Sequence, residues 1–356
     1  MGMTTYVLGA GASRDAGYPL ATTMASELLH WMKSATHEPG SYAAQYPATA
    51  HYLEECFPAS ENIEDLVTAI HKLIDDYENG TQEQRKKRAV LANQYGVFKN
   101  AVRAWFAEIQ QGTALQSSAY RDFARNIVVP GDCIITFNYD VSLDRELHLA
   151  GKFEVGDGYG FQIEGLPGRS PTKILKLHGS TSWLALLFGG ITSGVSQFSP
   201  GHTLGDRPVI PKNELSFLGY ADAIDPRFAR GGAALPVMIF PAKSKDFYFA
   251  PNTGDEYRPF WNELWRQAEA TLRSASRVVI CGYSLNSVDE RACKLLLKAP
   301  PKDTEIVVAS GEGDGAGSTT WVVREFKQEN YAKARPAGEL LFQNWVTSVV
   351  NGPAPA

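Results

Sequence analysis

The segment YVLGAGASRDAGYP, from Tyr6 to Pro19, contains residue types that can bind a phosphate group. A short apolar run leads into the GAGAS loop, and a long helical pattern begins at about Leu20. Glycines let the backbone approach a pyrophosphate closely, and a helix N-terminus presents unpaired N–H groups to it. Arg14 stands where the full dinucleotide fingerprint has a third glycine, so the segment also fits a tight turn that binds nothing. Its place between a strand and a helix favours a nucleotide-binding loop.

Three other apolar runs also end in polar residues. They end in TFNYD (136–140), HGS (178–180) and GYSL (282–285). Ligands of open parallel sheets bind outside the carboxyl ends of the strands, so we expect these segments and the GAGAS loop to converge on one crevice. An amide, a carboxylate and an imidazole that meet there could orient a water molecule and transfer a proton.

Each of these polar side chains also has a simpler structural interpretation. Asp140 could cap the helix that begins near Val141, which fits the sequence as well as a ligand contact does. Asn138 lies two residues further out, where capping explains it less well. His178 could be a structural hydrogen-bonding residue, although its place at a strand end favours chemistry. Asp289 could simply interact with the dipole of the first helical turn.

The elements that must position these residues alternate between strands and helices. The predicted strands are Thr4–Leu8, Asp132–Phe137, Lys173–Leu177, Val237–Phe240, Arg277–Cys281 and Glu305–Ala309. The predicted helices between them are Leu20–Lys33, Val141–Leu149, Glu256–Ser274, Val288–Lys298 and Thr319–Asn330. Several of the strands are continuous apolar runs, as expected of strands that are buried on both faces. The pattern predicts an α/β fold with a doubly wound, Rossmann-like parallel sheet.

Two stretches interrupt this alternation. Residues 41–128 have helical patterns without a buried strand, which predicts a helical subdomain inserted into a nucleotide-binding domain of residues 1–40 and 129–350. Residues 188–235 are rich in Gly, Ser and Pro and predict an irregular or partly β excursion. We expect the tail, residues 351–356, to be disordered.

Composition narrows the classes of function. The 356-residue chain is 44% hydrophobic and 21% charged, as is typical of a soluble globular protein. Its net charge of −5 argues against non-specific nucleic-acid binding, which needs a basic face, and the basic run QRKKR (84–88) fits a solvated helix face. No apolar run approaches 18 residues, so we expect no membrane span.

The chain has few cysteines, and their spacing is uninformative for metal binding. The four are Cys56, Cys133, Cys281 and Cys293. Because none form a C-x-x-C pair, we predict no structural zinc ribbon and no metal site. Cys133 and Cys281 lie in apolar strand patterns and are expected to be buried thiols. Few cysteines and no signal peptide predict a cytoplasmic protein.

Four ordered blocks of the sequence carry a resemblance to a known family. The blocks GAGASRDAGYP, TFNYD, LKLHGS and ICGYSLNSVD resemble the sirtuin blocks GAG(A/I)S, TQNID, HG and GTSL, in the same order. The chain thus resembles the sirtuin-like NAD-consuming superfamily, and in particular its bacterial SIR2-like branch of anti-phage defence proteins. The resemblance covers roughly residues 4–310. It implies a sirtuin-like fold with NAD as the substrate.

The resemblance also implies roles for individual residues. The positions that would hold the NAD pyrophosphate are Gly9, Ala10, Gly11, Ala12 and Ser13. Asn138 would lie near the nicotinamide ribose, Asp140 would serve the nicotinamide end, and His178 would match the catalytic histidine. The positions that would approach the adenosine side are Gly282 and Ser284, together with Asp289 at a ribose hydroxyl.

Departures from the sirtuin pattern bear on the reaction. Sirtuin deacetylases carry a four-cysteine zinc module that this chain cannot build, and Phe137 replaces the glutamine of the TQN block. These departures favour an NAD glycohydrolase, which cleaves the nicotinamide–ribose bond with water and yields nicotinamide and ADP-ribose. The alternatives are an NAD-dependent protein deacylase or ADP-ribosyltransferase, and a non-catalytic module that senses NAD or ADP-ribose.

Uncontrolled NAD hydrolysis would poison the host cell, so the resemblance implies a gated effector. We expect a homo-oligomer and an activating partner protein encoded nearby. Residues 41–128 supply more helical surface than one sheet face needs, which favours packing on a second chain. The alternative for this segment is a lid over the NAD crevice of a monomer.

Overall fold

The computed structural model describes residues 3–34, 42–58, 62–163, 168–186, 203–204, 207–210, 215–217, 234–240 and 258–352. The strands in this part of the chain are β1 (Thr4–Leu8), β2 (Cys133–Thr136), β3 (Gln162–Ile163), β4 (Lys173–Lys176), β5 (Gly179–Leu186), β6 (Thr203–Leu204), β7 (Arg207–Ile210), β8 (Leu215–Phe217), β9 (Ala234–Met238), β10 (Arg277–Cys281), β11 (Glu305–Ala309) and β12 (Ala334–Pro336). The α-helices are α1 (Ala10–Ser13), α2 (Ala21–Ser34), α3 (Tyr46–Cys56), α4 (Ile63–Asp76), α5 (Gln82–Gln111), α6 (Ala119–Asp122), α7 (Ser142–Leu149), α8 (Val155–Gly158), α9 (Arg258–Ser274), α10 (Glu290–Lys298), α11 (Thr319–Gln328) and α12 (Phe342–Asn351).

Six strands form one parallel sheet in the order β12-β11-β10-β1-β2-β4. The inner strands are buried along almost their whole length, which explains their continuous apolar sequences. From the central β1 the chain goes to β2 and β4 on one side and later returns to β10, β11 and β12 on the other. With helices flanking this sheet, the predicted doubly wound parallel fold is confirmed.

Several strands differ from the sequence-based expectation: β3 and β5 were not predicted, and two further differences concern β9 and β12. The strand predicted at Val237–Phe240 is β9, which begins at Ala234, ends at Met238 and pairs antiparallel with β5 in a separate sheet of order β8-β5-β9. Of its last two residues, Val237 is buried in the hydrophobic cluster of the parallel sheet, and Met238 is buried in the cluster among helices α2 to α5. The edge strand β12 escaped prediction because it has only three residues and ends in a proline, which a ladder tolerates only at an edge.

A second hydrophobic cluster lies among helices α2 to α5. These helices are amphipathic, and two of them begin with side-chain caps. At α4, the Asn62 Oδ1 accepts from the Glu64 N–H (2.8 Å). At α5, Thr81 and Gln84 form a reciprocal capping box. We call α2 to α5 the helical layer. Residues 119–128, at the end of the predicted insertion, bury Tyr120 and Phe123 in the core cluster of the sheet. The division into domains stays a prediction.

Two predicted stretches fall largely outside the described residues. Of residues 188–235, the structure describes β6, β7, β8 and the start of β9. At the tail, Asn351 is the last residue of α12, so helix extends one residue into the segment expected to be disordered. Residues 353–356 lie outside the described part of the chain.

Candidate active site

The register of the sheet aligns the carboxyl ends of five strands. Leu8 pairs with Thr136 and Cys281, Thr136 pairs with Lys176, and Cys281 pairs with Ala309. The loops that follow these strands therefore emerge side by side. They border a cavity of about 990 Å³ at the point where the strand order reverses, which is at the upper end for small-molecule sites.

Most of the predicted site residues line this cavity. Those that do are Ala10, Gly11, Ser13, Asn138, Asp140, His178, Gly282, Ser284 and Asp289. Gly9 and Ala12 are not in the lining of the cavity, and Ala12 is buried. The tertiary structure thus brings the four sequence blocks together, as the strand-end argument predicts. Whether they bind a ligand there stays a prediction.

The glycines of the GAGAS loop pack against the backbone of the GYSL loop. A Cβ atom on Gly11 would lie 2.8 Å from the Gly282 Cα, and one on Gly9 would lie 2.5 Å from the Gly282 oxygen. The Gly11 N–H donates to the Gly282 oxygen (3.0 Å), and the Ala12 N–H donates to the Gly9 oxygen (2.9 Å). A side chain at Gly9 or Gly11 would therefore collide with the GYSL loop, so loop packing requires glycine at both positions. The N–H groups of Gly11 and Ala12 already have acceptors within the protein.

The Ser13 hydroxyl is the centre of a buried hydrogen-bond network. It donates to the Asp140 Oδ2 (2.6 Å) and accepts from the Asn138 Nδ2 (2.9 Å). Because its single proton goes to Asp140, the Tyr120 hydroxyl at 2.8 Å donates to it. A hydroxyl has one proton and two lone pairs, and all are used. The predicted contact of Ser13 with a pyrophosphate could therefore involve its backbone and not its side chain.

Asn138, which follows β2, is hydrogen-bonded to the GAGAS loop. Its Nδ2 donates to the Gly9 carbonyl oxygen (2.8 Å) as well as to the Ser13 hydroxyl. Since a carbonyl oxygen only accepts, the NH₂ group must face Gly9, and this fixes the orientation of the amide. Both amide hydrogens are used within the protein, so the carbonyl oxygen is the atom of Asn138 that can serve a ligand. The sequence reasoning missed this structural role.

Asp140 is almost fully buried, and both of its oxygens are engaged. Its Oδ1 accepts from the Ser142 N–H (3.1 Å) near the start of α7, and its Oδ2 accepts from Ser13. Burial raises the pKa of the Asp140 carboxyl, and the nearby Lys176 ammonium and Ser13 hydroxyl oppose that rise. Asp140 lines the crevice as well. The N-cap of α7 is Val141, so Asp140 is not the capping residue itself, but it does accept a backbone N–H at the start of α7.

A buried ion pair behind Asp140 was not anticipated. The Lys176 Nζ lies 3.0 Å from the Asp144 Oδ2 and donates to the Asp140 backbone oxygen at 2.6 Å. The two side chains are 1% and 0% exposed, and Tyr159 donates to the Asp144 Oδ1 (2.6 Å). A lysine inside the apolar run KILKL was the sequence signal for a buried, paired charge. The pair holds the β2–α7 loop against β4.

His178 lies between β4 and β5, among aromatic rings. The ring centroids of Phe137, Tyr139 and Trp265 are 5.1, 6.4 and 6.5 Å from its own. Its Nε2 is 3.0 Å from the Asp289 Oδ2, and the two side chains are 7% and 10% exposed. The Asp289 Oδ1 accepts from the Ala292 N–H (3.3 Å) at the start of α10. Both Asp289 oxygens thus have protein partners, and its predicted contact with a ribose hydroxyl stays a prediction.

An aromatic pair forms part of the crevice wall. Phe137 and Tyr283 stack with a centroid distance of 4.4 Å and an interplanar angle of 24°. Both line the cavity, next to His178. Within the described residues, the buried Tyr283 hydroxyl has no hydrogen-bond partner. Phe137 therefore gives this wall an apolar surface.

The glycine-rich loop after β11 lines the crevice next to the GYSL loop. Its segment SGEGDGAGS (310–318) contributes Ser310, Gly311, Glu312, Ala316, Gly317 and Ser318 to the lining. Gly311, Gly313 and Gly317 have positive φ angles, which glycine adopts at little steric cost. The sequence analysis overlooked this loop, although a glycine-rich segment directly after a predicted strand was a usable signal.

The lining is predominantly acidic in the described part of the chain. Its carboxylates are those of Asp15, Glu64, Asp140, Asp289 and Glu312, against the single guanidinium of Arg14. Carboxylates around a cavity can stabilise a cationic transition state. The site is thus suited to chemistry in which positive charge develops on the ligand.

The helical layer forms the opposite side of the crevice. Its residues Met24, Glu64 and Phe106 lie in the lining, together with Tyr18 just before α2. The Asn286 Nδ2 donates to both carboxylate oxygens of Glu64 (3.1 and 3.2 Å), which joins the start of α4 to the GYSL loop. This bond is exposed, so the two sides are tied here only by a solvent-accessible contact.

Neither metal ligands nor a membrane-spanning helix were found within the described residues. No group of three or more His, Cys, Asp or Glu side chains there is arranged to hold a metal ion. Cys133 and Cys281 are buried as predicted, on the two strands that flank β1, while Cys56 is exposed. In the same part of the chain, no helix combines the length and apolar character needed to cross a bilayer.

Comparison with known proteins gives similarity in structure but not in sequence. No family model matches the chain, and no curated protein matches its sequence. A Sir2 homologue in complex with NAD is 12% identical, with a TM-score of 0.43 over 98% of this chain and 89% of that chain. A mutant Sir2 homologue with ADP-ribose is 11% identical, with a TM-score of 0.37 over 99% and 95% of the two chains. Sir2 with an inhibitor, 2′-O-acetyl-ADP-ribose and a deacetylated peptide is 11% identical, with a TM-score of 0.38 over 98% and 92%.

Proposed function

We propose that this protein binds NAD in the crevice and hydrolyses its nicotinamide–ribose bond to give nicotinamide and ADP-ribose. The observation that supports this most directly is that Asn138 and His178 line one large cavity at the sheet switch point. That is where open α/β sheets bind ligands, and it holds both an oriented amide and an imidazole.

Cleavage of this bond passes through an oxocarbenium-like state, as in glycoside hydrolysis. Nicotinamide leaves as a neutral group, so no general acid is needed. The acidic lining would stabilise the positive charge on the ribose. The Asn138 carbonyl oxygen would orient the attacking water or the ribose hydroxyls, and His178 would accept a proton. Asp140 would act mainly by keeping Ser13, and with it the GAGAS loop, in place.

Transfer to water is favoured over transfer to a lysine side chain by two features of the chain. The sequence has no C-x-x-C pair for the zinc module of sirtuin deacetylases. Phe137 stacks on Tyr283 where the sirtuin block has a glutamine. Deacylase or ADP-ribosyltransferase activity is the alternative within the same crevice, and a non-catalytic sensor is the alternative outside enzymology.

We further propose that the activity is gated, as expected of an effector of anti-phage defence. The exposed Glu64–Asn286 contact at the crevice supports this, because a change in the helical layer would alter access there. The isolated protein should be an oligomer with low turnover, rising when a partner binds. Light scattering combined with NAD turnover tests this, and a monomer with high constitutive turnover would contradict it.

The main test is incubation of the purified protein with NAD, followed by chromatography for nicotinamide and ADP-ribose, with and without candidate partners. His178→Ala should lower turnover by about 10²–10⁴-fold while the protein stays folded. His148→Ala, at a half-exposed histidine on α7, serves as the control and should keep full turnover. Transfer of ADP-ribose or removal of an acyl group without NAD hydrolysis would favour the transferase alternative. NAD binding without any product would favour the sensor.

A further inference from the structure

Positive charge is scarce in the crevice. Among the described residues of its lining, Arg14 is the only arginine or lysine, against five carboxylates. These carboxylates would repel a ligand that carries a phosphate or a diphosphate, unless a cation lies next to its anionic group. Within this lining, the Arg14 guanidinium is therefore the group that is suited to hold an anion.

The backbone at Arg14 is fixed before any ligand binds. Arg14 opens a 3₁₀ turn, Arg14–Ala16, directly after the GAGAS loop. Its carbonyl oxygen accepts from the Gly17 N–H (2.9 Å), and Gly17 ends the turn with a φ angle of 88°. On the other side, Ser13 is buried and held by its hydrogen bonds to Asn138 and Asp140. The side chain of Arg14 thus starts from a rigid position at the edge of the crevice.

The side chain of Arg14 is available to a ligand. It is exposed, and within the described residues it has no hydrogen-bond or ion-pair partner. The next residue, Asp15, is engaged elsewhere, because the Ser117 hydroxyl donates to its Oδ2 (2.5 Å). The N–H groups of Gly11 and Ala12, by contrast, already have acceptors. The donors that a phosphate needs beside the GAGAS loop can therefore come from the guanidinium.

We propose that Arg14 binds the diphosphate of the ligand and so selects dinucleotides and nucleoside diphosphates over uncharged nucleosides. This inference rests on the proposed binding of NAD. A guanidinium can donate two parallel N–H bonds to a phosphate, and its charge makes them stronger than neutral hydrogen bonds. Arg14 stands where the dinucleotide fingerprint has its third glycine, so the loop offers a charged side chain in place of close backbone packing. The carboxylates of the lining are then left to face the positively charged nicotinamide ring.

Arg14→Gln tests the inference by calorimetric titration with ADP-ribose, which needs no turnover. The dissociation constant should rise by about 10–100-fold, since a hydrogen bond to a charged group is lost. It should also depend less on salt than in the wild type. The affinity for adenosine, which has no phosphate, should change less than about twofold, and the melting temperature should stay the same because Arg14 is exposed.

Two further variants separate the role of Arg14 from a general effect of charge. Arg14→Lys keeps the charge but not the paired N–H geometry, so its affinity for ADP-ribose should lie between those of the wild type and Arg14→Gln. Arg125→Gln is the matched control, because Arg125 is also exposed but lies outside the cavity lining. It changes the net charge by the same amount and should leave the dissociation constant for ADP-ribose unchanged.

Inorganic pyrophosphate distinguishes this inference from the proposed hydrolysis. If pyrophosphate competes with ADP-ribose in the wild type and not in Arg14→Gln, while NAD is not cleaved, the hydrolysis fails and the role of Arg14 stands. If NAD is cleaved but Arg14→Gln binds ADP-ribose as tightly as the wild type, the role of Arg14 is wrong and the hydrolysis stands. Equal weakening of adenosine and ADP-ribose, or a wild type that binds neither ADP-ribose nor pyrophosphate, would also overturn the inference.

Discussion

The two sides of the crevice are held in different ways. On the sheet side, Ser13, Asn138 and Asp140 are locked by buried hydrogen bonds, and a buried ion pair lies behind them. On the helical side, one buried cluster joins Gln110 of α5 to Ser142 of α7, and the tie at Glu64 is exposed. Preorganised residues are suited to chemistry, whereas segments with exposed bonds open at lower free energy. For the proposed hydrolysis, this difference predicts that the reaction takes place on the sheet side and that access is controlled on the helical side.

The largest effect should come from the buried charge on the sheet side. Lys176→Met leaves the Asp144 carboxylate buried without its partner, which should lower the free energy of unfolding by about 3–5 kcal/mol in chemical denaturation. Lys176→Met combined with Asp144→Asn should recover much of this loss, because the asparagine is uncharged and can still accept from Tyr159. A single variant that costs under about 1 kcal/mol would contradict the assignment of a charged pair.

A pair of glycine variants measures how tightly the loops of the sheet side pack. Gly282 and Gly313 both have positive φ (61° and 85°), but a Cβ on Gly282 would lie 2.2 Å from the Ala12 nitrogen, whereas Gly313 faces open space. Gly313→Ala should cost about 1–2 kcal/mol from backbone strain alone. Gly282→Ala adds a clash, for a total of about 2–5 kcal/mol. If thermal unfolding gives the same loss of stability for Gly282→Ala and Gly313→Ala, the loops around Gly282 pack less tightly than in the structure.

Acid should weaken the helical side through His71. Burial in the helical layer, and secondarily Lys99, lowers the pKa of His71 to about 4. The unfolded chain therefore binds this proton more tightly, so the stability that neutral His71 contributes is present above about pH 6.5 and lost as pH falls towards 4. The loss is at most about 3 kcal/mol. Denaturation at pH 7 and pH 4 should show a smaller difference for His71→Gln than for the wild type, and an unchanged difference for His148→Gln.

Asn138→Ala tests a role that the sequence alone did not indicate. Loss of the amide removes two buried hydrogen bonds, to the Gly9 oxygen and to the Ser13 hydroxyl, while the Ala12 N–H still donates to the Gly9 oxygen. The two lost bonds should together cost about 1–3 kcal/mol and loosen the GAGAS loop. We therefore expect NAD affinity to fall together with turnover. Asn100→Ala removes a buried amide on the helical side that donates to the Gly96 oxygen, and it should leave NAD affinity unchanged. If Asn138→Ala lowers turnover but keeps the wild-type affinity for NAD, the amide contributes to the chemical step and not to the position of the GAGAS loop.

The smallest effect on stability is expected at Glu64. Its bonds to Asn286 are exposed, so Glu64→Ala should change the free energy of unfolding by less than about 0.5 kcal/mol. If the helical side governs access, the KM for NAD should change more than kcat. An unchanged KM would remove the support that this contact gives to gating.

The sequence by itself determined the parallel sheet and the edge at which the site lies. Continuous apolar runs such as RVVIC and EIVVA are typical of inner strands of a parallel sheet, and the predicted bounds of β1, β10 and β11 are the observed ones. Since parallel strands end at one edge, the polar residues after them had to converge. This inference needs only the chain direction and not the geometry of any side chain.

Only the tertiary structure decided what each side chain does at that edge. The pairing of His178 with Asp289, the three bonds of the Ser13 hydroxyl and the fixed amide of Asn138 all join loops from strands far apart in sequence. The strand Ala234–Met238 likewise pairs with β5 and not with a strand of the parallel sheet. Hydrogen bonds depend on distances of a few tenths of an ångström between such loops, and local patterns of residue type carry no information on these distances.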